Sequence, residues 1–261
     1  MDWRERTRLL AGDEVVQTWA RAHVLVVGLG GVGAYAAEQL VRAGIGRLTL
    51  VDGDRLHETN LNRQLPALRS TLGAYKTETL RQRFLDINPD LDCEIISEYL
   101  RDERMVEVLQ AHAYDYVVDA IDTLSPKIYL LYHCVRLKLR VVSAMGTGGK
   151  WAPESLTVCD IAQTYQCRLA DVLRKRLHKL GVYAGIQAVF SPEVVAAEAV
   201  REEEDVNKKS AVGTVSYMPA VAGCFCASVV LRELAGRPVT SDLPVPHSIR
   251  KRLAVENQKK S

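Results

Sequence analysis

The chain has 261 residues, of which 48% are hydrophobic, and its 34 lysines and arginines nearly balance its 32 aspartates and glutamates. This length and composition predict one large domain with an extensive hydrophobic core and room for a small appendage. A formal net charge of +2 excludes a protein that binds nucleic acid through its total charge, so any RNA site must be a local basic patch.

Targeting and redox features favour a cytoplasmic protein. Residues 1–6 are charged and lack the apolar segment of a signal peptide. The longest apolar run, residues 218–231, is too short to cross a bilayer and predicts a core helix, so we expect no membrane contact. The six cysteines include no C-x-x-C pair, which predicts reduced thiols and no structural zinc site.

Strands and helices alternate through the first 150 residues. Residues 4–22 predict two short helices separated near Gly12, residues 23–27 an apolar strand, and residues 31–42 a helix. A strand at 47–51 completes a strand–helix–strand unit. The alternation continues with helices at 74–87, 102–111 and 126–137 and strands at 93–97, 116–120 and 140–144. It predicts an α/β fold of the Rossmann-like, doubly wound type, in which a mainly parallel sheet has helices on both faces.

The pattern becomes less regular after Gly149. We predict a strand at 156–161, an amphipathic helix at 169–180, a charged loop at 198–209 and an apolar helix at 220–234. These elements add to the alternating region, and the sequence contains no internal repeat.

Three regions follow from this pattern. Residues 1–150 are predicted to form a Rossmann-like region, and residues 151–236 the C-terminal part of the same domain. A smaller C-terminal extension, residues 237–261, is polar, and we expect it to be flexible.

A glycine-rich motif follows the first predicted strand and opens the next helix. Gly28, Gly30, Gly31 and Gly33 form the pattern G-x-G-x-x-G. The first glycine permits a tight turn, the second lets a phosphate approach the backbone, and the last lets the helix pack on the strand. Asp52 ends the second strand, where a carboxylate accepts hydrogen bonds from ribose hydroxyls. The motif predicts a nucleotide site at the helix N-terminus, and it suits NAD as well as ATP.

Charged residues after the second strand favour ATP. Asp54, Asn60 and Arg63 follow that strand, and Lys76 begins the next helix. A triphosphate with a pyrophosphate leaving group requires cations nearby, whereas a nicotinamide cofactor would give Arg63 and Lys76 no role. Asp122 follows a strand at the carboxyl edge of the sheet, where its carboxylate is suited to hold Mg²⁺ on the phosphates. An NAD-dependent oxidoreductase is therefore disfavoured.

These motifs, in this order, resemble the ThiF/MoeB superfamily, which includes the ubiquitin-activating enzymes and adenylates carboxylates. The resemblance is carried by GLGGVG from Gly28, VDGD from Val51, NLNRQ from Asn60, Lys76, and DAID from Asp119.

The superfamily resemblance also implies roles for single residues. The implied nucleotide contacts are Asp52 to the ribose, Asn60, Arg63 and Lys76 to the phosphates, and Asp122 to Mg²⁺–ATP. Arg6 resembles the arginine that dimers of this superfamily insert into the neighbouring active site. It would then complete the catalytic set of Arg63, Lys76 and Asp122, and it implies a homodimer.

Further segments resemble one branch, the tRNA threonylcarbamoyladenosine dehydratases. They are RTRLLAG from Arg6, Pro126-Lys127 after DAID, GTGG from Gly146, and DIA from Asp160. This branch implies ATP-dependent closure of N6-threonylcarbamoyladenosine at position 37 of tRNA to its cyclic form, through adenylation of the threonyl carboxylate. A sulfur-transfer partner and a monovalent cation are left open.

The helix at 169–180 offers a surface for the tRNA backbone. Basic side chains lie opposite its apolar stripe. The candidates for tRNA contact are Arg168, Arg174, Lys175 and Lys179.

The alternative function is that of a ThiF/MoeB-type activator, which adenylates the C-terminal glycine of a ubiquitin-like sulfur carrier. Cys159 and Cys167 lie where a thiolate of such an enzyme could act, although we interpret both as small buried residues. The full set of charged residues around the glycine motif argues against a third possibility, a non-catalytic nucleotide-binding scaffold.

Overall fold

The computed structural model describes residues 2–202, 210–239, 241–246 and 249. Seven of its strands form one sheet. They are β1 (His23–Val27), β2 (Arg47–Val51), β3 (Asp92–Ile96), β4 (Tyr116–Asp119), β5 (Val141–Ala144), β6 (Thr157–Asp160) and β7 (Gln187–Phe190). The order is β3-β2-β1-β4-β5-β7-β6, and every neighbouring pair is parallel except β6 with β7.

Helices cover both faces of this sheet. They are α1 (Glu5–Ala11), α2 (Asp13–Arg21), α3 (Gly33–Ala43), α4 (Lys76–Ile87), α5 (Asp102–Gln110), α6 (Leu124–Arg136), α7 (Arg168–Lys179) and α8 (Tyr217–Leu234). One hydrophobic cluster joins the sheet to α2, α3, α4 and α8, and the other joins it to α5, α6 and α7. The predicted doubly wound α/β fold is confirmed.

The central strands are buried on both faces because the helices cover both. In β1, Val24 and Val26 belong to the first cluster, whereas Leu25 and Val27 belong to the second. Successive side chains of a strand point to opposite faces, so a central strand requires apolar residues throughout. This explains why β1 and β4 have no exposed position.

Several boundaries differ from the predicted ones. The helix expected at 220–234 begins at Tyr217, because Pro219 lies in its first turn, where no backbone N–H is required. The predicted loop at 198–209 contains β8 (Val200–Glu202), which pairs with β9 (Ser210–Val212) as a short antiparallel hairpin. Most of the extension at 237–261 lies outside the described residues.

The order of the strands fixes where a ligand can bind. From β1 the chain adds β2 and β3 on one side and then returns to add β4 and β5 on the other, which makes the carboxyl ends of β1 and β4 the switch point of the sheet. Gly28 follows β1 there, and Ala120 follows β4. Strands β7 and β6 extend the same sheet beyond β5, so residues 151–236 build on the sheet that carries this edge.

Candidate functional site

The glycine turn between β1 and α3 is fixed by close backbone contacts. Gly28 has a φ of +89°, and a Cβ atom there would lie 2.7 Å from the carbonyl oxygen of Ala120. A Cβ on Gly33 would lie 1.8 Å from the carbonyl oxygen of Gly28. Gly30 is open by comparison, since the nearest atom to a Cβ there is the Gln64 amide nitrogen at 3.8 Å. The turn therefore leaves its backbone accessible to a phosphate at the helix N-terminus.

Asp52 connects the end of β2 to the glycine turn. Its Oδ2 accepts a 2.6 Å hydrogen bond from the backbone N–H of Leu29, and its Oδ1 accepts a 2.8 Å bond from the N–H of Asp54. Burial raises the pKa of Asp52, although the positive charge of Lys76 and the two N–H donors act against this. The carboxylate lies beside the turn, as the predicted ribose contact requires.

Lys76, the first residue of α4, projects into the same region. Its Nζ lies 2.6 Å from Asp54 Oδ2 and 3.8 Å from Asp52 Oδ2, and its side chain is only 5% exposed. Two carboxylates thus hold one buried ammonium group beside the glycine turn. Lys76 and Asp54 are 22 residues apart in sequence, and the fold brings them together as predicted ligands of one nucleotide.

Tyr99 belongs to this cluster, and sequence analysis did not identify it. Its hydroxyl donates to Asp54 Oδ1. This hydrogen bond, together with burial and the charges of Asp54, Asp52 and Asp122, raises the pKa of Tyr99 to about 12. Three carboxylates that the sequence placed at the nucleotide site therefore all raise the pKa of the Tyr99 hydroxyl. Tyr99 follows β3 in a segment without a recognisable motif, so no local signal marked it.

Asn60 and Arg63 lie on a short turn that packs against the glycine turn. Asn60 Oδ1 accepts a 3.0 Å bond from the N–H of His57. Arg63 Nη1 donates to the Thr59 carbonyl at 2.9 Å and to Asn62 Oδ1 at 2.8 Å. The carbonyl oxygen of Arg63 lies 3.3 Å from where a Cβ of Gly31 would be. The guanidinium group is held at the edge of the site by contacts with its own turn.

A buried ion pair supports the loop that carries Asp122. Asp119 ends β4, and its carboxylate lies 2.7 Å from Lys127 Nζ, with both side chains fully buried. Ser143 donates to the same carboxylate at 2.6 Å, and Lys127 also donates to the Ile121 carbonyl at 3.1 Å. Sequence analysis placed Asp119 and Lys127 in family motifs without giving them a role. The pair fixes residues 120–122 at the switch point, where Asp122 is exposed.

The carboxylates fit Mg²⁺ that is bound together with a nucleotide. Among the described residues, no group of three or more His, Cys, Asp or Glu side chains is arranged to hold a metal ion. Mg²⁺ on a nucleotide takes only one or two protein carboxylates, and phosphate and water oxygens complete its shell. Asp122, which is exposed at the carboxyl edge of the sheet, is one carboxylate that meets this smaller requirement.

Arg6 lies away from this site in its own chain. It is exposed on α1, and Arg4, the residue before α1, lies beside Gly44 at the C-terminal end of α3, where a Cβ would be 2.9 Å from Arg4 Cδ. The 11 residues of α3 span about 16 Å, and the glycine turn is at the opposite end. The fold therefore does not bring Arg6 to the nucleotide site of the same chain.

The basic residues of α7 differ in what they can bind. Arg174 donates to the Thr164 carbonyl at 2.8 Å, and its side chain is only 19% exposed. Lys175 lies 2.7 Å from Asp171 but is 71% exposed, while Arg168 and Lys179 are also exposed. Exposed ion pairs contribute little and exchange partners readily. Arg168, Lys175 and Lys179 are thus accessible to phosphates, whereas Arg174 mainly holds the start of its own helix.

Burial raises the pKa of the thiols of Cys159 and Cys224, which disfavours a thiolate at either residue. Cys159 and Cys167 are buried, and burial raises the pKa of Cys159 to about 12. Cys226 is also buried, and Cys224 is exposed on α8, where burial of its thiol still raises its pKa. A nucleophilic cysteine requires a lowered pKa.

Comparison with known proteins agrees with this geometry. The model of the ThiF family matches residues 4–259. The tRNA threonylcarbamoyladenosine dehydratase of Bacillus subtilis is 37% identical over 238 residues, which cover 88% of this chain and 93% of that protein. The crystal structure of Escherichia coli tRNA N6-threonylcarbamoyladenosine dehydratase, TcdA, in complex with ATP has a TM-score of 0.82 and 35% identity. It covers 90% of this chain and 96% of that chain.

Adenylyltransferases match a smaller part of the chain. The molybdopterin-synthase adenylyltransferase of Salmonella typhimurium is 36% identical over 122 residues, which cover 47% of this chain. The dehydratases match nearly the whole chain, and the ThiF model spans it almost from end to end. With the glycine turn, Asp52 and Lys76 gathered at the switch point of a doubly wound sheet, this chain belongs to the ThiF family.

Proposed function

We propose that this protein uses ATP to dehydrate N6-threonylcarbamoyladenosine at position 37 of tRNA to its cyclic form. The observation that carries the proposal is the cluster of Lys76, Asp52 and Asp54 beside the glycine turn. It gives one chain a cation for phosphates and an acceptor for a ribose. Relatives that carry the dehydratase name match this chain over about nine-tenths of its length.

The first step joins the threonyl carboxylate to AMP. The carboxylate oxygen attacks the α-phosphorus of ATP, and the bond to pyrophosphate breaks. Arg63 and Lys76 offset the negative charge that develops on the phosphates, Asn60 contributes a polar contact, and Asp52 accepts from the ribose. Lys76 already has its charge compensated by Asp54, so nucleotide binding exchanges one anionic partner for another.

The second step closes the ring. A carbamoyl nitrogen of the same modified base attacks the activated carbonyl carbon, loses its proton, and expels AMP. The oxygen lost from the carboxylate leaves on AMP, so the nucleoside loses one water in total. Because both reacting groups belong to one base, positioning supplies most of the rate enhancement and no cysteine nucleophile is needed. The buried, neutral thiol of Cys159 is consistent with this.

Metal ions and assembly complete the proposal. Asp122 would hold Mg²⁺, which supplies charge neutralisation on the phosphates when bound. A homodimer would bring Arg6 of one chain to the site of the other, and Arg168, Lys175 and Lys179 would contact the tRNA backbone. The proposal also includes a cytoplasmic location, and it leaves room for a monovalent cation and for a sulfur-transfer partner.

The proposed division of labour follows the sheet. Residues 1–150 would bind and activate ATP, residues 151–236 would form the substrate side, and residues 237–261 would be a tail. Strands β6 and β7 lie beyond β5 on the edge away from β3, which supports this division.

The test is mass spectrometry of nucleosides from tRNA that carries threonylcarbamoyladenosine, after incubation with the protein, ATP and Mg²⁺. We expect loss of one water from that nucleoside, in an ATP-dependent reaction. Lys76→Met should lower the rate by about 10²–10³-fold, as removal of one charge-stabilising donor does in other enzymes. Arg21→Met removes an exposed charge on α2 and should leave the rate unchanged.

The opposite outcome assigns the chain to sulfur-carrier activation. In that outcome the mass of the nucleoside stays unchanged, and pyrophosphate exchange is seen only after a diglycine-ended carrier protein is added.

A further inference from the structure

A cavity of about 270 Å³ lies beside the nucleotide site, and the proposed function does not use it. It is lined by residues 149–151, Ala199 and residues 213–215. Residues 149–151 belong to the segment that follows β5, and residues 213–215 connect β9 to α8. The cavity therefore lies on the carboxyl side of the sheet, next to the switch point.

Hydrogen bonds join the wall of this cavity to the predicted phosphate-binding turn. The Thr214 carbonyl accepts a 3.0 Å bond from Asn62 Nδ2. Asn62 Oδ1 in turn accepts the 2.8 Å bond from Arg63. One side chain thus separates a lining residue from the guanidinium that would bind the phosphates. A group in the cavity would extend toward the reacting phosphate.

The mouth of the cavity carries an exposed tryptophan on a fixed backbone. Trp151 is 66% exposed. The backbone N–H of Trp151 donates to both carboxylate oxygens of Glu193 at 2.9 Å, and its backbone carbonyl accepts a 2.9 Å bond from the Tyr217 hydroxyl. The main chain is therefore held on both sides, while the indole remains open to solvent. A large aromatic side chain on a fixed backbone offers a stacking surface with few rotatable bonds to order on binding.

The other side chains make the cavity suitable for an uncharged aromatic ring. Lys150 is buried, and its ammonium group turns away to donate to the Ser191 carbonyl at 2.7 Å. Gly149 has a φ of +71°, and a Cβ there would lie 2.3 Å from Val195 Cγ1. Position 149 therefore requires glycine, because a side chain would collide with the segment before β8. Pockets for drug-sized ligands are about 300–1,000 Å³. A volume of about 270 Å³ lies just below this range and suits a small group such as one substituted base.

We propose that this cavity receives the modified adenine base of the tRNA, flipped out of its strand and stacked on the indole of Trp151. The inference rests on the proposed function and names the site of its substrate. Single-stranded loops are recognised through bases that stack on aromatic side chains, and enzymes that modify a base take it out of its stack. Trp151 is thus a substrate-binding residue, and its effect falls on tRNA rather than on ATP.

The first measurement compares steady-state constants of three variants. Base–aromatic stacking contributes about 1–3 kcal/mol per base, so Trp151→Ala should raise the KM for tRNA roughly 5- to 140-fold. It should leave the affinity for ATP unchanged, and Trp151→Phe should restore most of the loss. Tyr129→Ala is the matched control, since Tyr129 is 50% exposed on α6, and its KM should equal that of the wild type. A KM for Trp151→Ala that equals the control value would overturn the proposal.

The second measurement is independent of turnover. In a Trp3→Phe variant the remaining tryptophans are Trp151 and the buried Trp19. With AMP saturating the nucleotide site, the nucleoside N6-threonylcarbamoyladenosine should quench tryptophan fluorescence. The quenching should disappear when Trp151→Phe is added to that variant.

The outcomes separate the two proposals. Dehydration without quenching leaves the function in place and overturns the base site. Quenching without dehydration supports the base site and overturns the proposed reaction. Quenching by a diglycine-ended peptide but not by the nucleoside overturns both, because the cavity would then hold a carrier tail.

Discussion

Lys76 is almost completely buried, and its charge is balanced by the carboxylates of Asp52 and Asp54. An unpaired buried charge is costly, so a cation that waits for phosphates must have an anionic partner in the meantime. Asp54 meets this need while its own side chain remains 43% exposed. Lys76 and Asp54 can therefore separate when a phosphate binds Lys76, because the Asp54 carboxylate then stays in contact with solvent.

His23 gives the fold a pH dependence. It is buried at the start of β1, where Nε2 lies 2.9 Å from Thr49 Oγ1. Burial, with the charges of Arg47 and His112, lowers its pKa from 6.5 to about 4. The folded state therefore keeps His23 neutral, while the unfolded state binds a proton below pH 6.5. Stability falls as the pH falls through this window.

We expect the free energy of unfolding to decrease by about 2 kcal/mol between pH 7.5 and pH 5 because of His23 alone. Urea titrations at both pH values measure this difference. His23→Gln should remove that part of the decrease, whereas His57→Gln, at an exposed position, should retain it. An equal decrease in wild type and His23→Gln would contradict the prediction.

At the scale of elements, the glycine turn joins three parts of the fold. It connects β1 to α3, contacts the backbone after β4, and supports the turn that carries Arg63. Helix α8 packs on α3 so closely that a Cβ on Gly223 would lie 2.4 Å from the carbonyl oxygen of Val32. Among the described residues, α8 is the one helix with the length and apolar composition of a membrane span. Its burial against α3 and the sheet explains that composition, as the sequence predicted for a core helix.

Two glycines with similar backbone angles separate conformational strain from steric collision. Gly28 and Gly73 have φ values of +89° and +86°, but a Cβ has no neighbour within 4 Å at Gly73. Gly73→Ala should lower the free energy of unfolding by only about 1–2 kcal/mol. Gly28→Ala should cost at least about 2 kcal/mol more, because its Cβ meets the Ala120 carbonyl. It should also weaken ATP binding at least about tenfold, since the turn must move.

Denaturation curves and ATP titrations of both variants measure these effects. Similar losses in the two variants would show that the contact between the turn and Ala120 is unimportant.

At the scale of the whole molecule, the position of Arg6 bears on assembly. It lies at the end of α3 that is far from the glycine turn of its own chain. A two-fold dimer places the same patch of each chain against the other, so each Arg6 is able to serve the partner site. We therefore expect Arg6 to act only between chains.

Heterodimers purified through two different tags test this expectation. A dimer of an Arg6→Ala chain with a Lys76→Met chain retains one complete site and should show about half the wild-type rate. A dimer of wild type with a chain that carries both substitutions retains none and should be inactive. The reverse pattern would show that Arg6 acts within its own chain.

The sequence by itself determined the class of fold and predicted most residues of the candidate nucleotide site. The alternation of apolar strands with amphipathic helices is a local pattern, and it predicted the doubly wound sheet because each element must cover its apolar face. The glycine motif was equally local, since the φ of Gly28 requires glycine. Asp52 and Lys76 were found because strand ends and helix starts of a parallel sheet meet at one edge.

Only the tertiary structure decided how these residues are paired and what surrounds them. Tyr99 reaches Asp54 across 45 residues, Asp119 and Ser143 meet across 24, and Trp151 is fixed by Glu193 across 42. No periodicity or motif encodes such contacts, because they depend on which strands become neighbours and where their loops meet. Likewise, β8 forms within a segment whose charge predicted a loop, because its backbone pairs with that of β9 and this pairing outweighs the propensity of the single residues.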